Sequence, residues 1–244
     1  MTESQEEALY SNLAGHYDEI YHWKDYEKEV RKITMLIDQY KKSSGSSLVD
    51  FACGTGKHLS LLRKNFDCVG VDISKDMLAI AKKNAPTEEF LKGYMVDYDL
   101  HRRFDVVLCL FSSIGHLKTR SQVRKAISNF ARHLKKGGVL IVEPWIRKSG
   151  WREKIVDMQT FDTDTLKIVR MNSGRAEGAF SVIDERYLVG EAGKGVSYFK
   201  SRLKMRFFEQ EYVMKTLVDA RLNPIFTENG LMPGRGLLIA VRPP

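Results

Sequence analysis

A chain of 244 residues, 43% of them hydrophobic, suits one α/β domain with an insertion, or one large domain and a small one, around a sizeable core. The formal charge of +8 at pH 7 raises nucleic acid as a partner. The cations, however, come mostly as pairs at predicted helix ends or loops: Lys41-Lys42, Lys82-Lys83, Arg102-Arg103, Lys135-Lys136 and Arg147-Lys148. Cations there complement the helix dipole, so a solvated surface is preferred to an RNA face. No run approaches the roughly eighteen apolar residues of a membrane span, and the polar, acidic start MTESQEEALY is unlike a secretory signal, so a soluble cytoplasmic protein is expected. Cys53, Cys68 and Cys109 lie in apolar segments without a CxxC pair or a His cluster. They read as buried, inert thiols, with neither a disulfide nor a metal site expected and with Cys53 the one nearest a ligand.

Residues 3–14 and 25–41 read as two helices, the second with Val30, Ile33, Met35, Leu36 and Ile37 on its inner side. KKSSGSS then links to a regular alternation of strand and helix. Strands are expected at 46–51, 67–72, 89–94, 104–110 and 138–143, with helices at 57–65, 75–84 and 120–134. Short buried strands alternating with helices imply right-handed βαβ units and a parallel sheet. After Glu143-Pro144 the pattern changes to period two, as in Phe180-Ser181-Val182-Ile183. Residues 156–207 therefore read as a three-stranded antiparallel insertion, a substrate lid or a dimer contact. A helix at 209–220 and strands near 223–228 and 236–242 return to the main sheet, so that 1–155 and 208–244 form the main domain. Within the insertion Lys200, Arg202, Lys204 and Arg206 share one strand face. Charges that blunt a solvent face are preferred there to a cradle for a phosphorylated substrate.

The chemistry centres on LVDFACGTG at 48–56, a strand that turns sharply into a helix. The string Gly54-Thr55-Gly56-Lys57-His58-Leu59 has leucine at the third glycine position of a dinucleotide fingerprint, and the spacing is not that of a P-loop. Asp50 sits at the strand end, where a carboxylate repels pyrophosphate and suits a cationic amine. Asp72 ends the next strand and is placed to accept both hydroxyls of a ribose. Together they point to S-adenosylmethionine (SAM), whose tail carries an ammonium and whose sulfonium is cationic.

DFACGTG, VGVDISKDML, FDVVLCLFSSIGHL and GGVLIVEPW resemble motifs I, post-I, IV and VI of class I SAM-dependent methyltransferases. More specifically, His16-Tyr17-Asp18, Lys24-Asp25-Tyr26, DMLAIA, FSSIGHLK, VEPW, YLVGEAGKGV and GRGL are similar to strings in the N,N-dimethyltransferases of nucleotide-linked amino sugars, covering nearly the whole chain. The resemblance implies a Rossmann-like seven-stranded sheet in the order 3-2-1-4-5-7-6, SAM as methyl donor and S-adenosylhomocysteine (SAH) as product. It also implies a small-molecule amine, that of a nucleotide-linked amino sugar, as acceptor; neither membrane nor nucleic acid is expected as a partner, and the antiparallel insertion is a surface that could pair with its mate in a homodimer. It places cofactor contacts at Tyr17, Lys24, Asp50, Ala52 and Cys53, at Gly54, Gly56, His58, Asp72 and Ile73, and at Met77, Met95, Asp97, Leu110 and Phe111. Asp97 enters because Tyr94 stands where the family has an acid for the adenine amino group. Tyr10, Tyr21, Trp145 and Arg235 are implied for the substrate, and His116 and Ser113 for catalysis. Methyl transfer from a sulfonium is an in-line displacement that needs a close, aligned and neutral amine. His116 is the candidate to accept or orient the amine proton, and Ser113 to hydrogen-bond the substrate. After VEPW this chain has Ile146-Arg147-Lys148 in place of the family's second Trp and Pro-containing loop, so its substrate end has diverged more than its cofactor end. Methylation of another small metabolite or of RNA, and SAM binding without catalysis, are the alternatives. The loop FSSI is unlike the NPPY tetrapeptide used on base amines.

Overall fold

The computed structural model describes residues 8–153 and 155–244. The N-terminal segment, expected as a helix over 3–14, lies partly outside the described residues. From Ala8 it forms 3-10 turns at Ala8–Tyr10 and Ala14–His16 and the short helix α1 (Tyr17–Ile20). Helix α2 (Tyr26–Tyr40) starts at Asp25, whose side chain accepts the Lys28 N–H at 2.8 Å. It buries Ile33, Leu36 and Ile37.

Then follow β1 (Ser47–Phe51), α3 (Lys57–Leu62), β2 (Asp67–Asp72), α4 (Lys75–Asn84), β3 (Glu89–Lys92), β4 (Phe104–Cys109), α5 (Arg120–Arg132) and β5 (Leu134–Val142). Thr119 and Gln122 cap α5 reciprocally. Strand β5 begins earlier than expected, because Leu134 pairs with Phe104 before a register shift brings Val139 opposite Val106. After four insertion strands, α6 (Gln210–Asp219), β10 (Asn223–Thr227) and β11 (Leu237–Val241) complete the chain.

The seven-stranded sheet has the order β3-β2-β1-β4-β5-β11-β10. Its first five strands are parallel, and β11 is antiparallel to β5 and β10. This is the expected 3-2-1-4-5-7-6 arrangement once the insertion strands are numbered. β1 and β4 are buried on both sides apart from Ser47, as a covered parallel sheet demands. One cluster around Phe51, Val107 and Phe130 fills one face, and another around Leu48, Leu59 and Ile141 fills the other.

The insertion has four strands, not three: β6 (Val156–Asp162), β7 (Leu166–Glu177), β8 (Phe180–Glu191) and β9 (Gly195–Arg206), all antiparallel. β6 escaped the expected pattern because Val156 and Met158 point outward and Gln159 is the more covered side chain, an inversion of the usual alternation. Inner residues Ile168, Tyr187, Val189 and Leu203 pack on Leu9, Leu13 and Tyr17 of the N-terminal segment. The β9 cations lie on the outer face. Arg202 donates to Asp184 at 2.6 Å and Lys204 stands 3.8 Å from Glu177, so they form an ion-paired solvent face. No helix among the described residues is long and apolar enough to cross a membrane.

Candidate active site

The glycine turn is shaped by backbone geometry. Ala52, Gly54 and Gly56 all have positive φ, and the N–H groups of Ala52 and Cys53 both reach the Val71 carbonyl, at 2.7 and 3.1 Å. Gly56 has φ +70°, and a Cβ there would lie 3.1 Å from the Ala81 Cβ, so strain and space both call for glycine. Asp72 accepts the Gly54 N–H through Oδ2 and the Ser74 N–H through Oδ1, each at 2.8 Å. Its carboxylate is thus fixed at the tip of β2.

Above this turn opens a cleft of about 630 Å³. Its floor is Asp50, Ala52, Cys53, Gly54 and Asp72; Ile73 and Met77 line one side, Met95, Leu110 and Phe111 another, and Tyr17 and His58 close it. Asp50 is the buried carboxyl of this floor that lacks a full set of partners. Burial first and the charge of Asp72 second push its carboxyl up to about 8, and its Oδ1 is buried without a hydrogen-bond partner. A buried, unpartnered carboxylate oxygen facing a cleft is a seat for a cation. The site therefore fits the ammonium of SAM.

Three residues implied for the cofactor do not line this cleft. Gly56 lies beneath it as the N-cap of α3. Asp97 is exposed, outside the lining, so the tip of β3 presents Tyr94 and Met95 in place of an acid. Lys24 is buried on Glu29, with its ammonium 4.7 Å from the ring centres of both Tyr26 and Phe111. Glu29 also takes His58 Nε2 at 2.8 Å. Lys24 thus spends its charge on an internal ion pair that supports Phe111 and His58 from behind. Tyr26, Thr55 and Ser74 also line the cleft and were missed, since nothing in their local spacing marks them.

The loop after β4 carries the strain of the site. Phe111 and Ser112 are consecutive non-glycine residues at φ +48° and +63°, at a cost of about 1–3 kcal/mol each. Tertiary bonds hold them: Phe111 N–H donates to Glu143 at 2.8 Å, and Ser112 Oγ donates to the Pro144 carbonyl at 2.8 Å. Ser113 lines the cleft, but its hydroxyl donates to the Leu110 carbonyl at 2.9 Å, which leaves it an acceptor only. His116 follows, with Nε2 3.1 Å from the Tyr10 hydroxyl. Burial lowers its pKa to about 4, so the imidazole is neutral at physiological pH.

A second cavity of about 390 Å³ lies between this loop and the insertion. Tyr10, Phe111 and His116 line both spaces, so the two meet at these three side chains. Tyr21, Trp145 and Arg235 line the second cavity. Arg235 donates to Ser112 Oγ at 3.1 Å and lies over the Trp145 ring at 4.8 Å. Trp145 Nε1 is tied to Ser181 at 2.9 Å. The insertion adds Arg170, which the sequence reading missed. It is held by Glu185 at 3.0 Å and lies 5.4 Å from the Tyr21 ring. The signal was there: Arg170 shares its strand face with the buried Ile168.

Comparison with known proteins agrees with this geometry. A family model described as a methyltransferase domain matches residues 48–138. The dTDP-3-amino-3,4,6-trideoxy-alpha-D-glucopyranose N,N-dimethyltransferase of Streptomyces venezuelae is 35% identical over 89% of this chain and 92% of its own. The crystal structure of Streptomyces venezuelae DesVI superposes with a TM-score of 0.89 at 34% identity, over 94% of this chain and 98% of that one. An amino pentose methyltransferase from Micromonospora echinaspora, solved with SAM bound, superposes at 0.84 with 27% identity, over 95% and 97%. This chain belongs to the SAM-dependent methyltransferase family that includes the dTDP-amino-sugar N,N-dimethyltransferases.

Proposed function

We propose that the enzyme methylates the amine of a nucleotide-linked amino sugar, with the cofactor in the cleft and the acceptor in the second cavity. The observation that carries this reading is the meeting of the two spaces at Tyr10, Phe111 and His116. SAM, when bound, supplies an electrophilic methyl group. Asp50 would hold its ammonium end and Asp72 its ribose hydroxyls, while Tyr17 and Met77 wall the cleft beside the junction. Phe111 and Tyr10 hold the acceptor amine in line and shut out water. Neutral His116, oriented by the Tyr10 hydroxyl, takes the amine proton at its free ring nitrogen or through a bridging water. Ser113 accepts a hydrogen bond from the acceptor, and Arg235 faces its anionic part. The insertion acts as the acceptor wall. Its outer face, with Met158, Met171, Leu188 and Tyr198 exposed, is where a second copy would pack. A cytoplasmic enzyme fits the reading that its acceptor is a nucleotide-linked sugar; one structural relative is an amino pentose methyltransferase involved in calicheamicin biosynthesis.

A methyl-transfer screen with labelled SAM against dTDP-amino sugars, free small amines and RNA tests the proposal. SAH formation and label in the nucleotide sugar are expected. Label confined to free amines or to RNA overturns it.

A further inference from the structure

The segment that joins β5 to the insertion is fastened to β7 residue by residue. The indole of Trp151 lies against Gly174: a Cβ at 174 would stand 2.5 Å from Trp151 Cζ2 and 2.7 Å from Cη2, so this seat exists only where there is no side chain. Two positions on, Glu153 accepts the Ala176 N–H at 3.1 Å. Phe207 braces the ring from another side, edge-on, with centroids 5.8 Å apart. The indole stays partly exposed. With Arg152 it lines the second cavity and not the cofactor cleft. Beside it, Gln159 on β6 and Asn172 on β7 present amides to the same space. Gln159 Oε1 already accepts from Arg170 at 3.0 Å, which leaves its amide free to donate.

A braced aromatic plane, a guanidinium next to it and amides on the facing strands are the elements that take a nucleobase with its phosphates. The base stacks on the indole, its edge pairs with amides, and phosphate oxygens meet the guanidinium. We propose that Trp151 on its Gly174 seat, with Arg152, Gln159 and Asn172, forms the nucleobase and phosphate subsite for the acceptor. This rests on the reading that the acceptor is nucleotide-linked. It places the sugar amine at His116 and the base on the insertion, so the insertion selects the carrier nucleotide while the loop after β4 handles the amine.

The test is calorimetric titration of dTDP into enzyme saturated with SAH. The wild type binds, and Trp151→Ala weakens dTDP by about tenfold or more, the usual effect of losing one stacked base. Gly174→Ala, which adds only a methyl group beneath the indole, displaces the ring and does the same, whereas Trp151→Phe keeps the affinity within about threefold. An unchanged SAH dissociation constant in all three variants shows that the fold is intact. No dTDP binding by the wild type, or binding by Trp151→Ala and Gly174→Ala within about twofold of it, overturns the subsite. Its failure is separable from that of the function. A wild type that methylates a nucleotide-linked amino sugar with a KM that Trp151→Ala does not raise loses only the subsite. A wild type that methylates no such sugar loses the proposed function, whatever dTDP does.

Discussion

Asp50→Asn removes a charge from the cleft while keeping its shape. In the ligand-free protein, burial and Asp72 raise the Asp50 carboxyl to about 8. At pH 7, one unit lower, about nine-tenths of the molecules therefore carry a proton there. A cationic amine against the unpartnered Oδ1 favours the ionised form, so binding expels that proton. Calorimetry of SAH binding in buffers of different ionisation enthalpy should show close to one proton released per site at pH 7. The affinity should climb as pH rises from about 6 to 8 and then level. Asp50→Asn should bind about 10- to 100-fold more weakly, the worth of a hydrogen bond to a charged group, and release no proton. The same shift sets a stability signature without ligand. The folded-state value lies above the ordinary 3.8, so the folded chain keeps a proton that the unfolded chain loses. This contribution is complete below about pH 4 and drains away as pH rises toward 8, by at most about 1.4 kcal/mol per pH unit. The Tm of the free wild type should fall across that window more steeply than that of Asp50→Asn. Equal proton release by the two proteins, or none by the wild type, refutes the assignment.

Asp72→Ala should lower SAM affinity by about 10- to 100-fold, and unchanged affinity in calorimetry would sink the ribose assignment. Because His116 sits near 4, it contributes no titration between pH 6 and 8. His116→Ala should slow kcat by about a hundredfold, the low end for a lost proton acceptor, while the acidic limb of the kcat/KM profile survives because it belongs to the acceptor amine. Loss of that limb in the variant would transfer it to His116. Gly56→Ala forces a Cβ into φ +70° against Ala81 and Phe90 and should cost about 1–2 kcal/mol of stability, read as a lower urea midpoint; an unchanged midpoint contradicts the packing argument.

The parallel sheet was legible because its central strands β1 and β4 are short apolar runs buried on both faces, and α4 and α5 carry their own caps at Ser74 and Thr119. Asp50 and Asp72 were legible for a similar reason. Both sit at strand ends, so local sequence alone fixes where they point. Lys24 and Asp97 were misplaced because their fate is tertiary: Glu29 reaches Lys24 from α2, and the turn after β3 leaves Asp97 in solvent. Trp151 was invisible because a residue 23 positions away makes its seat, and Arg170, although its strand face could be read from Ile168, owes its inward place to a cross-strand pair with Glu185.

This difference follows the division of labour in the site. The cofactor cleft is largely built from residues 50–95, where covalent proximity does most of the positioning. The second cavity, proposed for the acceptor, draws on Tyr10, Phe111, His116, Trp145, Arg170 and Arg235, brought together only by folding. The strained pair Phe111-Ser112 is where the two halves are joined. Its left-handed backbone persists because Glu143 and Pro144, at the end of β5, take its donors, and Arg235, from the loop before β11, donates to Ser112. Those anchors belong to the second half of the chain, so the geometry where the two cavities meet depends on the closing strands as well as on β4. Changes in the insertion or in the segment after Trp145 can therefore re-cut the acceptor cavity while Glu143 still fixes the junction. That is the physical room in which the divergence after VEPW leaves the cofactor turn untouched.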